Sequence, residues 1–269
     1  MNVEISSDNN LPTVVFLHGF TGCAASWSEI SKLLKDKCRT VAVDLTGHGK
    51  SSIPEDADRY SMDQQVKDLE ALFAALSLNQ FILVGYSMGG RVALAYTVRY
   101  PKRVSSLILE SSSPGLKTEN ERTERKEADS RLAERILTDG LPAFVDFWES
   151  IPLFASQKSL TAEKRLMVRT ERLSQSETGL ANSLQGIGTG SQESYWRSLG
   201  TINLPVLLIT GELDTKFVNI SREMQRQFPN VRHETIEHAG HAIHVEKPDT
   251  FATMIEKHIS EVKNRGGSL

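Results

Sequence analysis

The chain has 269 residues but only two cysteines, Cys23 and Cys38, whose spacing matches no metal-binding or redox motif. Reduced thiols are typical of cytoplasmic proteins, and residues 1–10 lack the basic-then-apolar order of a signal peptide. No apolar run approaches the roughly 18 residues that a membrane-spanning helix needs. The net charge of -3 gives no general attraction to nucleic acid. The sequence therefore predicts a cytoplasmic protein that neither binds nucleic acid nor inserts into a membrane.

Short apolar runs, mostly β-branched, alternate with helical stretches such as 63–76 and 90–99. Strands of a parallel sheet read as continuous apolar runs because helices cover both faces of the sheet. Right-handed crossovers then place the carboxyl ends of the strands along one edge, where we expect a functional site. The predicted strands are 14–17, 40–43, 81–84, 106–109 and 206–209.

The segment Gly85-Tyr86-Ser87-Met88-Gly89 joins a predicted strand to a predicted helix through the pattern G-x-S-x-G. A sharp turn of this kind holds a serine on a strained corner, with its hydroxyl exposed at the end of the sheet. The flanking glycines are needed because a Cβ at either position would collide with the neighbouring strand or helix. We therefore predict that Ser87 is a catalytic residue.

The alternation of strands and helices lapses between residues 113 and 201, a polar segment rich in helix formers. Helical faces can be traced over 122–137, 141–148 and 161–173. We predict an α/β fold whose core comprises 1–112 and 202–269, with a helical cap over 113–201 that closes the site. Residues 265–269 have the composition of a frayed tail.

A serine hydroxyl needs a histidine to activate it, and the histidine needs a carboxylate to orient it. On a sheet of this kind the expected chain order is serine, acid, histidine, which Ser87, Asp214 and His241 satisfy. Asp214 could instead be only a helix cap. Glu110 is the alternative acid, although a structural role or an arginine partner suits it better.

Three histidines spaced three residues apart, His238, His241 and His244, could also suggest a metal site. No acidic or thiolate ligand accompanies them at matching spacing, so we predict one catalytic histidine and no metal. His48, between two glycines, is expected to be structural. We assign the two backbone amides of an oxyanion hole to Phe20 and Met88.

Together the motifs HGF, DLTGHGKS, GYSMGGR, GELD and HAGH resemble those of the α/β-hydrolase superfamily over almost the whole chain. The segments 85–91, 188–196 and 211–217 more closely resemble 2-succinyl-6-hydroxy-2,4-cyclohexadiene-1-carboxylate synthase of menaquinone biosynthesis. The resemblance implies the α/β-hydrolase fold, with a mostly parallel central sheet flanked by helices and an inserted helical cap. It also implies a lyase that removes a proton from its substrate and expels pyruvate, without a cofactor.

The substrate of that family carries three carboxylates, so the resemblance implies arginines in the pocket. It points to Arg91, Arg125 and Arg172 in this chain, with Arg122 and Arg169 as alternatives. Arg91 lies one helical turn after the serine.

Each of these roles has a simpler structural alternative. Arg91 could pair with Glu110 or another acid, and Arg125 could form a solvated helix pair with Glu121.

Two aromatic residues complete the implied site. Trp148 would form a pocket wall, or simply pack between cap and core. Tyr86 could donate a hydrogen bond to substrate, or pack beneath the cap.

The resulting hypothesis is a pyruvate-eliminating lyase that acts on a small polycarboxylate, as a monomer or weak homo-oligomer. A serine esterase or carbon-carbon bond hydrolase with the same triad is the alternative. A non-catalytic small-molecule receptor on this fold is a further one, although an intact triad disfavours it.

Overall fold

Seven strands form one sheet in the order β1-β3-β2-β4-β5-β6-β7 in the computed structural model, which describes residues 1–6 and 11–264. All neighbouring strands are parallel except β1, which runs antiparallel to β3 at one edge. The strands are β1 (Asn2–Ile5), β2 (Thr13–Leu17), β3 (Arg39–Asp44), β4 (Phe81–Tyr86), β5 (Val104–Glu110), β6 (Val206–Gly211) and β7 (Val231–Ile236).

Helices cover both faces of this sheet. The α-helices of the described residues are α1 (Ser28–Leu33), α2 (Met62–Ala75), α3 (Met88–Arg99), α4 (Glu119–Asp139), α5 (Leu141–Ser150), α6 (Ala162–Leu173), α7 (Glu177–Ile187), α8 (Thr215–Gln225), α9 (Ile243–Glu246) and α10 (Pro248–Asn264). No helix within the described ranges has the length and apolar character needed to cross a membrane.

The strand β2 shows why the central strands carry apolar residues on both of their faces. Val15 and Leu17 face one buried cluster, whereas Val14 and Phe16 face a second cluster on the opposite side of the sheet. Successive strand residues point to opposite faces, so a sheet covered on both sides needs apolar residues throughout. The α/β fold class predicted from the sequence is confirmed.

The predicted strands all lie within β2 to β6, but the two edge strands were not predicted. Strand β1 is polar at two of its four positions, and most of β7 is only half-buried. An edge strand needs fewer apolar side chains because solvent reaches part of its surface.

Helices α4 to α7 lie between β5 and β6 in the chain, and α4, α5 and α7 share an apolar cluster of their own. The members of this cluster are Ala133, Ile136, Leu141, Phe144, Val145, Leu180, Ala181 and Leu184. Helix α7 was not predicted from the sequence. The predicted tail, 265–269, lies outside the described residues.

Candidate active site

Ser87 lies in the turn between β4 and α3 with φ 50° and ψ -106°, a strained conformation for a residue with a side chain. The absence of side chains at Gly85 and Gly89 permits this turn. A Cβ at Gly89 would lie 2.3 Å from the carbonyl oxygen of Leu17. One at Gly85 would lie 2.5 Å from the carbonyl oxygen of Gly89. Close packing of strand on helix thus fixes the serine at the sheet edge.

The serine hydroxyl belongs to a continuous chain of hydrogen bonds. Ser87 Oγ lies 3.0 Å from Nε2 of His241, and Nδ1 of His241 lies 2.6 Å from Oδ2 of Asp214. The other carboxylate oxygen of Asp214 accepts a 3.3 Å hydrogen bond from the amide of Phe217 at the start of α8. The helix-capping role and the histidine contact therefore coexist in one side chain, since each uses a different oxygen.

Glu110, the alternative acid, contacts a different histidine. Its carboxylate accepts hydrogen bonds from the amide of His244 at 3.0 Å and from Nδ1 of His244 at 2.9 Å. The His244 ring stacks on Trp27 with a centroid separation of 4.4 Å. The alternative in which Glu110 pairs with Arg91 is therefore wrong, because this fully buried carboxylate contacts a histidine instead.

The remaining histidines do not converge on a metal site. Across residues 1–6 and 11–264, no group of three or more histidine, cysteine or acidic side chains is arranged to hold a metal ion. His238 is exposed and its amide binds Glu212. The His48 ring contacts the carbonyl oxygens of Phe20, at 2.7 Å, and Thr46, at 3.2 Å.

His18 fixes the loop that follows β2. Its Nε2 accepts a 3.1 Å hydrogen bond from the amide of Leu45, so its proton is on Nδ1, which donates to the carbonyl oxygen of Gly19 at 2.8 Å. Burial lowers the pKa of His18 to about 3, so the ring is neutral. In a trans peptide the carbonyl and the next amide point in opposite directions. Holding the Gly19 oxygen therefore also orients the amide of Phe20.

Neither amide assigned to the oxyanion hole forms a hydrogen bond within the described part of the chain. The amide of Phe20 follows the Gly19 carbonyl, and the amide of Met88 opens α3, where the first helical N–H groups have no intrahelical partner. Both residues line the same cavity as Ser87. These amides are available to a ligand atom near the serine.

A cavity of about 1330 Å³ lies between the sheet edge and helices α4 to α7. Every residue that the sequence assigned to the site lines it, whereas the alternatives Arg122 and Arg169 do not. The assigned residues are Phe20, Tyr86, Ser87, Met88, Arg91, Arg125, Trp148, Arg172, Asp214 and His241.

Arg91 is a buried cation that forms no ion pair with an acidic residue in the described part of the chain. Its side chain is held by neutral acceptors: Nη1 donates to the carbonyl oxygen of Ile187 at 2.6 Å and to Oε1 of Gln192. No carboxylate in the described ranges forms an ion pair with it. Burial, reinforced by the nearby charge of Arg125, lowers the pKa of Arg91 to about 10, so the guanidinium stays protonated at neutral pH.

The arginines on α4 and α6 have partners of different kinds. Arg125 donates through Nε to Asp129 Oδ1 at 2.7 Å, so the alternative of a helix pair with Glu121 is wrong. The Glu121 carboxylate instead caps α4 at the amide of Thr118.

Arg172 is buried and donates to Glu149 at 3.2 Å and to Gln157 at 3.0 Å. Its guanidinium lies over the Phe154 ring, 4.8 Å from the centroid.

Aromatic side chains enclose the serine and histidine. Trp148 packs against Phe20, at 5.5 Å between centroids, and its buried Nε1 has no hydrogen-bond partner within the described residues. The Tyr86 ring lies between those of His241 and His244, with centroid separations of 5.3 and 4.7 Å. Burial raises the pKa of Tyr86, so its hydroxyl is protonated and can donate.

Sequence reasoning missed three residues that support the site: Ser112, Gln192 and His244. Ser112 Oγ donates to the carbonyl oxygen of Ser87 at 3.0 Å. Gln192 belongs to a segment that the resemblance had singled out, 188–196, and that was the only available signal for it. Ser112 and His244 support the site through tertiary contacts, which the spacing of residues along the chain does not indicate.

Known proteins share this fold and sequence over nearly the full chain. Residues 12–248 match the family model described as alpha/beta hydrolase fold. A Bacillus subtilis (strain 168) protein, provisionally named 2-succinyl-6-hydroxy-2,4-cyclohexadiene-1-carboxylate synthase, is 46% identical over 94% of this chain and 92% of its own.

Two further relatives are a curated protein and a solved structure. A Salmonella paratyphi C (strain RKS4594) protein named as the same synthase is 32% identical over 88% of this chain and 89% of its own. The structure of MenH from S. aureus matches with a TM-score of 0.93 and 36% identity, and covers 97% of this chain and 98% of that chain. The chain therefore belongs to the alpha/beta hydrolase fold family and, within it, to the family of 2-succinyl-6-hydroxy-2,4-cyclohexadiene-1-carboxylate synthases.

Proposed function

We propose that this protein eliminates pyruvate from 2-succinyl-5-enolpyruvyl-6-hydroxy-3-cyclohexene-1-carboxylate and so forms 2-succinyl-6-hydroxy-2,4-cyclohexadiene-1-carboxylate in menaquinone biosynthesis. The names of its relatives give the product. The observation that carries the proposal is the buried, unneutralised guanidinium of Arg91, one helical turn from Ser87. A buried charge is costly unless an opposite charge compensates it, so this cavity favours an anionic ligand.

The elimination begins with proton transfer at the triad. As Ser87 Oγ–H gives its proton to Nε2 of His241, Oγ takes the proton from the substrate ring, and Asp214 stabilises the imidazolium that forms. The proton leaves ring carbon C2, beside the succinyl carbonyl, and the electrons of the broken C–H bond form the C2=C3 double bond. The existing C3=C4 double bond shifts to C4=C5 as the bond between C5 and the enolpyruvyl oxygen breaks. The imidazolium proton is returned to the departing group, which leaves as pyruvate.

Negative charge that develops on the conjugated succinyl carbonyl needs donors in place before the reaction. The free amides of Phe20 and Met88 supply them. Arg91, Arg125 and Arg172 bind the substrate carboxylates and hold the ring proton near Ser87. Trp148 and the Tyr86 hydroxyl complete the pocket. In this scheme the serine acts as a base and forms no acyl-enzyme.

The test is pyruvate release from the enolpyruvyl substrate by wild type, Ser87→Ala and Arg91→Ala, with a neutral nitrophenyl ester assayed in parallel. We expect fast release that both substitutions abolish or strongly reduce, together with feeble ester cleavage. Brisk ester cleavage without pyruvate release would overturn the proposal and favour the hydrolase alternative, because the same triad geometry serves an acylation mechanism. A Ser87 acyl-enzyme trapped during turnover would contradict the role of the serine as base.

A further inference from the structure

We propose that Gln192 is a specificity-determining residue, which fixes the guanidinium of Arg91 without neutralising it and so reserves its charge for a substrate carboxylate. The inference rests on the proposed function, since it explains how that site keeps a cation available for an anionic substrate. Gln192 reaches Arg91 across 101 positions in the chain. It is 1% exposed and lines a second cavity instead of the one that holds Ser87, so it acts on the site only through Arg91.

The chemistry of the two side chains fixes how the amide is oriented. A guanidinium can only donate, so the Gln192 atom that contacts Nη1 must be the oxygen. The amide nitrogen then faces away and donates to the carbonyl oxygen of Glu193 at 3.3 Å. The Ile187 carbonyl is the second acceptor on Nη1. Both acceptors of Arg91 are therefore neutral, and its remaining N–H groups are left for other partners.

The surrounding backbone keeps Gln192 in place. Its amide donates to the carbonyl oxygen of Gly188 at 3.2 Å, in the turn that follows α7. Gly115, with φ 95°, lies against the side-chain amide, and a Cβ there would be 2.5 Å from Nε2. A second connection joins the two segments, since the amide of Tyr195 donates to the carbonyl oxygen of Pro114 at 2.8 Å. The Gln192 side chain is thus held between the turn that follows α7 and the loop that contains Gly115.

The charges around Arg91 leave a net positive site. Arg125 approaches from α4 with a second positive charge, and Asp129 from the same helix supplies one negative charge through its pair with Arg125. Two cations and one anion leave one positive charge uncompensated. A carboxylate at position 192 would cancel that charge from within the protein, whereas glutamine has nearly the same shape and leaves it available.

The decisive comparison is between Gln192→Glu and Gln192→Leu. Glutamate keeps an acceptor for Nη1 but adds a negative charge, whereas leucine removes the acceptor and leaves the charge of Arg91 intact. If Gln192 only anchors Arg91, leucine should be the more harmful change. If its neutrality matters, glutamate should be the more harmful one. Gln185→Glu, at an exposed position on α7, is the matched control for the added charge.

Binding is measured by calorimetry with 2-succinylbenzoate, an aromatic dicarboxylate that carries the same succinyl and ring carboxyl groups as the proposed substrate. We expect Gln192→Glu to raise Kd about tenfold or more, and Gln192→Leu to raise it by only about two- to threefold. The KM for pyruvate release should follow the same order, with a smaller change in kcat. The rate at which a neutral fluorophosphonate labels Ser87, together with the melting temperature, reports whether each variant keeps the fold and the triad.

A larger loss in Gln192→Leu than in Gln192→Glu would overturn the inference and leave Gln192 a structural anchor. Equal Kd values for wild type and Gln192→Glu would overturn it as well, and would show that Asp129 already neutralises Arg91. Failure of the wild type to bind the dicarboxylate would also count against it. If the wild type binds the dicarboxylate with the expected order of Kd values but releases no pyruvate, the proposed reaction fails while the inference about Gln192 holds.

Discussion

Ser112 donates a 3.0 Å hydrogen bond from Oγ to the carbonyl oxygen of Ser87, while the carbonyl oxygen of Glu110 accepts one of 2.9 Å from the Ser87 amide. Residues at the end of β5 therefore hold the backbone of Ser87 from both sides. A residue with φ 50° carries strain of about 1–3 kcal/mol and keeps that conformation only where its surroundings enforce it. The neighbouring strand supplies this enforcement, so the reactive geometry depends on the correct pairing of β4 with β5.

Gly89→Ala should destabilise the protein by about 1–3 kcal/mol or more, because the added Cβ would press on the carbonyl oxygens of Leu17 and His18. The melting temperature should fall by several degrees, and pyruvate release should fall with it. Thermal denaturation followed by circular dichroism measures the change. Gly200→Ala is the control, since the nearest atom to its Cβ is 3.8 Å away. Equal melting temperatures for the two variants would contradict the tight packing inferred at the turn.

Asp214→Asn should lower kcat by about 10²–10⁴-fold with little loss of fold, because the amide no longer orients His241 or stabilises its imidazolium. The measurement is pyruvate release per mole of folded protein. Glu110→Gln provides the comparison, since its carboxylate contacts His244 instead. That substitution should mainly lower the melting temperature. A larger loss of kcat in Glu110→Gln than in Asp214→Asn would assign the acid role to Glu110.

The stability of the protein should fall as the pH decreases from about 6.5 toward 3, the two values that bound the pKa shift of His18. Within this range the unfolded chain binds a proton that the buried ring excludes, so the free energy of unfolding decreases with acidification. The slope from this group approaches about 1.4 kcal/mol per pH unit. Urea denaturation at pH 7, 6 and 5 should show a flatter dependence in His18→Asn. His48, whose pKa burial also lowers, contributes in the same direction and remains in that variant.

His238→Gln is the control for this pH dependence. The His238 side chain is 83% exposed in the folded protein, so unfolding changes its surroundings little. Its pH profile should match that of the wild type. A wild-type slope in His18→Asn would show that this histidine does not account for the acid sensitivity.

Arg172→Ala should raise KM about tenfold, because a cation that lines the cavity and lies over Phe154 is removed. Steady-state kinetics of pyruvate release measures the effect. Arg165→Ala is the matched control on the same helix, since Arg165 is exposed and does not line the cavity. Arg172→Lys should recover part of the loss by restoring the charge. Equal KM values for Arg172→Ala and Arg165→Ala would remove Arg172 from the substrate site.

Features that depend on local pattern could be predicted from the sequence. The buried strands β2 and β4 are apolar at nearly every position because both faces of the sheet are covered, and the glycines around Ser87 mark a turn that tolerates no Cβ. The edge strands β1 and β7 lack this signal because solvent reaches them. Pattern alone therefore identifies the centre of such a sheet more readily than its edges.

Partners that depend on tertiary contacts could not be predicted in this way. The structural alternative for Arg91 was a pair with Glu110 or another acid, yet its side chain reaches Gln192 while Glu110 contacts His244. The first contact depends on the turn that follows α7, which carries Gln192, and the second on the direction in which the Glu110 side chain leaves β5. The spacing of residues along the chain indicates neither.

The unneutralised guanidinium of Arg91 also bears on how long the protein survives. A polycarboxylate bound beside Arg91 interacts with the folded state only, so folding becomes more favourable as the ligand concentration rises, by about 2.7 kcal/mol at 100 times Kd. The population of unfolded chains that a protease can cleave then decreases about a hundredfold. Starvation for the ligand should therefore shorten the half-life of the protein, and the supply of metabolite would help to set its abundance in the cell.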